Sequence, residues 1–165
     1  MGSSRVGILI PAFNEEVSIR SVVMDVKKHG AVFVIDDGST DDTVAEALTA
    51  GANVIKNKKN VGYDATLKRG MVELFYKGYE YLITVDADGQ HDVNDVGRIV
   101  SRLKFGNDAV VAVRNRKQRI AEHVFNIYTR IFYGIRDPLT GLKGYRLSTF
   151  GEKPNFSNFD TVGTE

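Results

Sequence analysis

Three acidic segments carry residue types from which chemistry could be built: Pro11-Ala12-Phe13-Asn14-Glu15-Glu16, Asp36-Asp37-Gly38-Ser39-Thr40-Asp41-Asp42 and Asp86-Ala87-Asp88-Gly89-Gln90-His91-Asp92. Each follows directly on an apolar run. Carboxylates gathered at one edge repel one another, and their charged forms persist only with something cationic among them. A divalent metal meets that need. Asp86 and Asp88, two apart, would offer oxygens to Mg²⁺ or Mn²⁺, hard cations that keep several waters and take remaining ligands from substrate phosphates. So few carboxylates on such a cation imply a diphosphate. A plainer reading stands beside this one: Asp-Gly and Ser-Thr-Asp-Asp are turn and helix-cap sequences, and Ser39 or Thr40 would cap a following helix. Recurrence of the pattern after successive apolar runs strengthens the ligand reading over any single pair.

Competing motifs fail on inspection. A calcium loop opening at Asp86 needs Gly at its sixth position and Glu at its twelfth, where this chain has His91 and Gly97. There is no G-x-x-x-x-G-K-[ST] and no G-x-G-x-x-G, so neither a P-loop nor a dinucleotide fingerprint is present. Phosphate binding then falls to metal and to Lys or Arg. The run Arg114, Arg116, Lys117, Arg119 reads either as a phosphate contact or as a solvated loop. Cysteine is absent, which excludes disulfides, thiolate zinc sites and cysteine nucleophiles. With 22 Lys and Arg against 21 Asp and Glu, the formal charge of +1 removes any global case for nucleic acid. No stretch approaches the roughly 18 to 20 apolar residues of a spanning helix.

The elements that must position these residues follow from the apolar pattern. Val6-Gly7-Ile8-Leu9-Ile10, ended by Pro11, suits a strand buried on both faces, and such strands mean parallel sheet. The segment from Asn14 to His29 sets Val17, Val22, Val23 and Val26 on one side and is closed by Gly30, as a helix would be. The unit recurs as strand Val32–Ile35 with a helix over about 40–49, strand Asn53–Ile55 with a helix over about 63–77, and strand Tyr81–Val85 with a helix over about 93–104. Strand Ala109–Val113 and a helix near 120–133 follow. Strands alternating with helices at this spacing predict right-handed crossovers and an α/β fold, an open and mostly parallel sheet with helices on both faces. In such a sheet ligands sit beyond the carboxyl ends of the strands, where the acidic segments fall.

Taken in order, Pro11-Ala12-Phe13-Asn14-Glu15-Glu16, Val34-Ile35-Asp36-Asp37-Gly38-Ser39-Thr40-Asp41, Asn60-Val61-Gly62, Asp86-Ala87-Asp88-Gly89-Gln90-His91 and Asp137-Pro138-Leu139-Thr140-Gly141 resemble the motif set of inverting nucleotide-sugar glycosyltransferases of the GT-A fold. Within these the chain is most similar to the dolichyl-phosphate mannosyltransferase-like, polyprenyl-phosphate hexosyltransferase group, over about residues 6–147. The resemblance implies a Rossmann-like nucleotide-sugar-binding domain over 5–150; Met1-Gly2-Ser3-Ser4 reads by its own composition as a tag remnant or disordered start at 1–4. The resemblance also implies that the family continues past Glu165, leaving 151–165 as a loop or incomplete acceptor-side segment.

Roles carry over position by position. Pro11, Phe13 and Glu15 fall where the family lines the nucleoside pocket, and Asp37 where a carboxylate contacts the base. Asp88 would be the chief metal ligand, with Asp86 beside it and Gln90 near the metal or diphosphate; the cofactor would be Mg²⁺ or Mn²⁺. Arg114 and Arg119 fall in the region that holds an acceptor phosphate, which suits the planar fork of arginine. Asp137 opens the Asp-x-x-[ST]-Gly pattern, in a catalytic or a structural role. The implied activity is transfer of a hexose, with inversion, from a GDP- or UDP-sugar to a polyprenyl or dolichyl phosphate at the cytoplasmic face of a membrane, with peripheral membrane contact. A phosphate monoester already carries a nucleophilic oxyanion, so a strong general base is dispensable; a saccharide acceptor would need one, with Asp137 or Glu165 as candidates. From another class, a non-catalytic nucleotide-binding or receiver-like module would also explain the parallel sheet. A receiver, however, wants an Asp after its third strand, where this chain has Lys56-Asn57-Lys58. Three departures from the family pattern stand out: Phe13 where Tyr is frequent, the acid Asp64 after Gly62, and Gly141-Leu142-Lys143-Gly144-Tyr145-Arg146 in place of a Ser-Gly-Phe pattern.

Overall fold

Every residue of β1 (Val6–Ala12) is buried, as an apolar run without polar alternation requires, and the rest of the sheet is arranged around it. The structure, a computed structural model, describes residues 5–90, 92–112 and 141–151. After β1 come α1 (Ile19–Val26), β2 (Ala31–Asp36), α2 (Thr43–Ala50), β3 (Asn53–Lys56), α3 (Tyr63–Tyr76), β4 (Tyr81–Thr84), α4 (Val93–Lys104), β5 (Ala109–Val111) and β6 (Lys143–Arg146). One sheet results, in the order β3-β2-β1-β4-β6-β5. The pairs β1–β2, β1–β4 and β2–β3 are parallel, whereas β6 runs antiparallel to both β4 and β5. The expected α/β architecture is therefore present, with β6 as the one reversed strand among those described.

Both faces of the sheet are covered, and the period of two along each strand decides which side chain serves which face. Ile8 and Ile10 of β1, Val32 and Val34 of β2 and Ile83 of β4 join Val22, Val23 and Val26 of α1, Ala47 of α2 and Val96, Ile99 and Leu103 of α4 in one core. Leu9, Phe33, Ile35 and Leu82 point the other way, against Leu67, Met71 and Leu74 of α3 and against Leu147. Gly70 lets α3 lie directly on the sheet: a Cβ there would overlap the Leu9 and Ile35 side chains. No described helix is long and apolar enough to cross a membrane.

Three expected boundaries shift, each for a physical reason. Pro11 does not end β1, which continues in register with β2 through Ala12 opposite Asp36. Leu9 accepts from Val85 N–H on the β4 side and Ala12 accepts from Asp37 N–H on the β2 side. By alternation, the missing N–H of Pro11 faces the side where β4 pairing has already ended, the place a strand tolerates proline. The first helix begins at Ile19 rather than near Asn14, and α2 begins at Thr43 rather than Thr40; the loops before them are consumed by bonds to one another, described below. The helix expected over 120–133 and the last residue of the strand expected over 109–113 lie outside the described residues.

Candidate functional site

The registers bring Ala12, Asp36 and Thr84 to the same edge of the sheet. The chain leaves β1 toward β2 and β3 on one side, then returns after α3 to add β4 on the other, so the carboxyl end of β1 is the point at which strand order reverses. Helices diverge at such a point and open a crevice. A cleft of about 370 Å³ lies there, and Pro11, Phe13, Glu15, Asp37, Asp86 and Asp88 all line it. Six residues singled out from sequence thus share one cavity. Among the described residues Asn60, Gly62, Tyr63 and Thr66 also line it, with Ala12 and Ala87. Phe13 leaves 45% of its surface open, an aromatic face free to stack on a planar ring.

The loops after β1 and β2 are stitched together backbone to side chain. Asn14 N–H donates to Ser39 Oγ at 2.9 Å and Asn14 Oδ1 accepts from Thr40 N–H at 3.0 Å. Glu15 N–H donates to Thr43 Oγ1 at 2.7 Å, Glu16 N–H to Asp41 Oδ2 at 3.2 Å, and Glu16 Oε2 accepts from Asp42 N–H at 3.1 Å. Within this web Asn14 takes a left-handed φ of 56°, which an α-helix cannot contain, so no helix starts there. Ser39 and Thr40 consequently do not cap α2; Asp41 Oδ1 instead accepts from Thr43 N–H at 3.1 Å.

Asp36 and Asp37, two of the acidic residues after β2, find partners inside the protein and do not depend on a bound cation. Asp36 is fully buried, accepts from Ser39 N–H and lies 3.8 Å from Lys56 Nζ. Asp37 Oδ1 accepts from Asn57 Nδ2 at 2.8 Å and Val61 N–H at 2.9 Å, and its Oδ2 from Gly62 N–H at 2.9 Å. Burial alone would push the Asp37 carboxyl up. The bonds from Asn57, Val61, Thr66 and Gly62 outweigh it and hold the group below its ordinary value. Asp37 therefore shapes the 57–62 loop as well as facing the cleft.

Asp86 and Asp88 differ in environment. Asp86 is partly buried and accepts from the Tyr63 hydroxyl at 3.2 Å. Burial, then the charge and hydrogen bond of Asp86, hold the Tyr63 phenol above its ordinary value, so it remains a donor. Asp88 is exposed at the tip of a turn, its Oδ1 accepting from Gln90 N–H at 2.9 Å. Gln90 bonds Asp88 through its backbone and is not among the residues lining the cleft. Among the described residues no group of three or more His, Cys, Asp or Glu is gathered to cage a metal. Two carboxylates at one cleft instead fit a hard cation that draws its other ligands from water and a diphosphate. Tyr63 escaped the sequence reading because a tyrosine opening a helix carries no signal of its own; its place right after Asn60-Val61-Gly62 was the available hint. Arg114, Arg119, Asp137 and Glu165 lie outside the described residues.

Comparison with known proteins agrees with this architecture. The family described as Glycosyl transferase family 2 matches residues 7–158. An uncharacterised protein of Methanocaldococcus jannaschii is 32% identical, the alignment covering 82% of this chain and 69% of the relative. The polyprenol monophosphomannose synthase of Mycolicibacterium smegmatis is 28% identical over 98% of this chain and 68% of its own length. Among solved structures, glucosyl-3-phosphoglycerate synthase from Mycobacterium tuberculosis, in complex with Mn²⁺, UDP-glucose and phosphoglyceric acid, superimposes with a TM-score of 0.74 at 22% identity, covering 88% of this chain and 57% of that one. Across the curated relatives the chain spans from about half to about two thirds of the longer protein.

Proposed function

We propose that this chain, which belongs to glycosyl transferase family 2, forms the donor-binding part of an inverting hexosyltransferase that passes a sugar from a nucleotide diphosphate to a polyprenyl or dolichyl phosphate. The observation that carries the reading is the single cleft at the strand-order reversal, where an open aromatic face, a hydrogen-bonded buried carboxylate and two further carboxylates meet. The acceptor class rests on likeness to a polyprenol monophosphomannose synthase, and with it comes peripheral contact with a membrane surface. In this reading the donor-binding body occupies residues 5–150.

The residues then divide the work. Phe13 stacks on the nucleoside and Pro11 and Glu15 flank it. Asp37, already committed to the 57–62 loop, holds that wall of the nucleoside pocket and presents its remaining acceptor capacity to a base N–H, a contact that discriminates because an unpaired partner is strongly disfavoured. Asp86 and Asp88 hold a divalent cation, Mg²⁺ or Mn²⁺, with Gln90 ordering the Asp88 turn. Such a cation supplies charge stabilisation to a diphosphate leaving group. The acceptor phosphate attacks the anomeric carbon from the opposite side as the sugar–diphosphate bond breaks, with Arg114 and Arg119 assigned to hold it and Asp137 to a catalytic or structural role. A phosphate oxyanion gives up no proton in this step, so no base is required of the chain.

Calorimetric titration with GDP and with UDP, each with and without Mn²⁺, tests the donor half. Saturable binding of one nucleotide that requires the metal is expected, and Asp88→Asn should abolish the metal-dependent part while the circular dichroism spectrum stays unchanged. Binding by neither nucleotide would remove the cleft from the proposal. Sugar transfer to a lipid phosphate, compared with a soluble saccharide, then separates the acceptor classes.

A further inference from the structure

The carboxylate of Asp86 is seated between two groups that come from distant parts of the chain. From α3 the Tyr63 hydroxyl donates to Oδ1 at 3.2 Å. From the other side the backbone of Gly141 approaches so closely that a Cβ there would overlap both Asp86 oxygens. Gly141 cannot withdraw. Its carbonyl accepts from the hydroxyl of buried Thr84 at 2.7 Å, and the neighbouring Leu142 carbonyl accepts from Ala112 N–H at 3.1 Å. Lys143 N–H donates back to Thr84 Oγ1 at 3.3 Å, where β4 and β6 pair. A side chain at position 141 would therefore displace the carboxylate rather than the backbone.

We propose that Tyr63 and Gly141 are positioning residues that fix the direction of the Asp86 carboxylate and thereby set which cation the cleft accepts. The inference rests on the reading of Asp86 and Asp88 as cation ligands. Its physical basis is that partners behind a ligating carboxylate orient it toward the metal. A preset oxygen favours the small cations that demand near-octahedral geometry, Mg²⁺ and Mn²⁺, over Ca²⁺, which accepts irregular arrangements. A carboxylate free to turn would lose that preference.

The test measures affinity for GDP and UDP by calorimetry in Mn²⁺, in Ca²⁺ and in chelator, for the wild type, Tyr63→Phe, Gly141→Ala and Asp88→Asn, with a thermal melt of each. Tyr63→Phe removes one oxygen from a residue that is 41% exposed, so it should fold as the wild type even if Gly141→Ala is less stable. The expected result is a loss of about tenfold in Mn²⁺-dependent affinity for Tyr63→Phe, a fall in the Mn²⁺-to-Ca²⁺ ratio, and no change in chelator. Gly141→Ala should shift the ratio in the same direction. Tyr63→Phe with wild-type affinity and ratio, while Asp88→Asn loses binding, overturns the proposal and leaves the donor reading standing. Wild-type protein that binds neither nucleotide in Mn²⁺ overturns the donor reading and this inference with it. A ratio unchanged in Gly141→Ala of wild-type melting temperature removes Gly141 from it.

Discussion

Asp37 shows how one residue serves stability and site together. Its two oxygens collect Asn57 Nδ2, Val61 N–H and Gly62 N–H, so the carboxylate is the hub on which the 57–62 loop turns. Asp37→Asn would set an amide donor among groups that all donate. Loss of hydrogen bonds to a charged group predicts destabilisation of about 1–3 kcal/mol at pH 7. Because the folded group titrates below its ordinary value of 3.8, its contribution is fully present above that value and is lost as pH falls through the lower folded one. Urea melts of wild type and variant at pH 7 and pH 3 check this, and the gap between them should narrow at pH 3. A gap of equal size at both would show that the charge plays no part. Phe13, Glu15, Asp86 and Asp88 were legible as neighbours because each stands just past a buried strand, where side-chain type is freer of packing demands, whereas Pro11 is buried within β1 itself. The donors that hold Asp37 were not, since two of them are backbone N–H groups of residues whose side chains give no sign of it.

At the scale of elements, apolar runs announced the strands and the 3.6 period announced most helices, while connections between loops stayed hidden. Asn14 to Ser18 carries helix-compatible residues, yet the N–H groups of Asn14, Glu15 and Glu16 are spent on Ser39, Thr43 and Asp41, contacts about 25 residues away in sequence. Tertiary bonding overrides local propensity there. The direction of β6 was hidden likewise: Gly144 and Tyr145 fit a strand but say nothing of its partner, and pairing with both β4 and β5 reverses it. Gly70 is the element-scale device most open to test. It sits mid-helix, where glycine lowers stability by about 1 kcal/mol relative to alanine in an isolated helix. On propensity alone Gly70→Ala should therefore stabilise. The added methyl would instead overlap Leu9, which is wholly buried, and Ile35; overpacking of this kind costs about 1–3 kcal/mol, so against the propensity gain a net loss of up to about 2 kcal/mol is expected. Chemical denaturation decides between the two signs; a more stable variant would mean that α3 can lift from the sheet without penalty.

For the whole molecule, the arrangement that matters is one sheet with cores on both faces and the cleft at its strand-order reversal. The described wall of the cleft comes from residues between Pro11 and Asp88, inside the body formed by β1, β2, β4 and α3. The chain spans only part of the length of its relatives, and yet the proposed donor binding draws on residues this body itself supplies. If that is so, binding must appear as stability of the entire body, because a ligand that binds only the folded state raises its unfolding free energy by RT ln(1 + [L]/Kd). At a nucleotide concentration about 100 times Kd the gain is about 2.7 kcal/mol, which for a domain of this size corresponds to a rise of about 5–10 °C in melting temperature. The rise should need nucleotide and Mn²⁺ together, be reversed by EDTA, and vanish in Asp88→Asn, whose own melting temperature without ligand should match the wild type because the side chain is exposed. Nucleotide alone producing the full shift would place the diphosphate on protein cations instead of a metal, and would turn attention from the two carboxylates to the lysines of the β3–α3 loop.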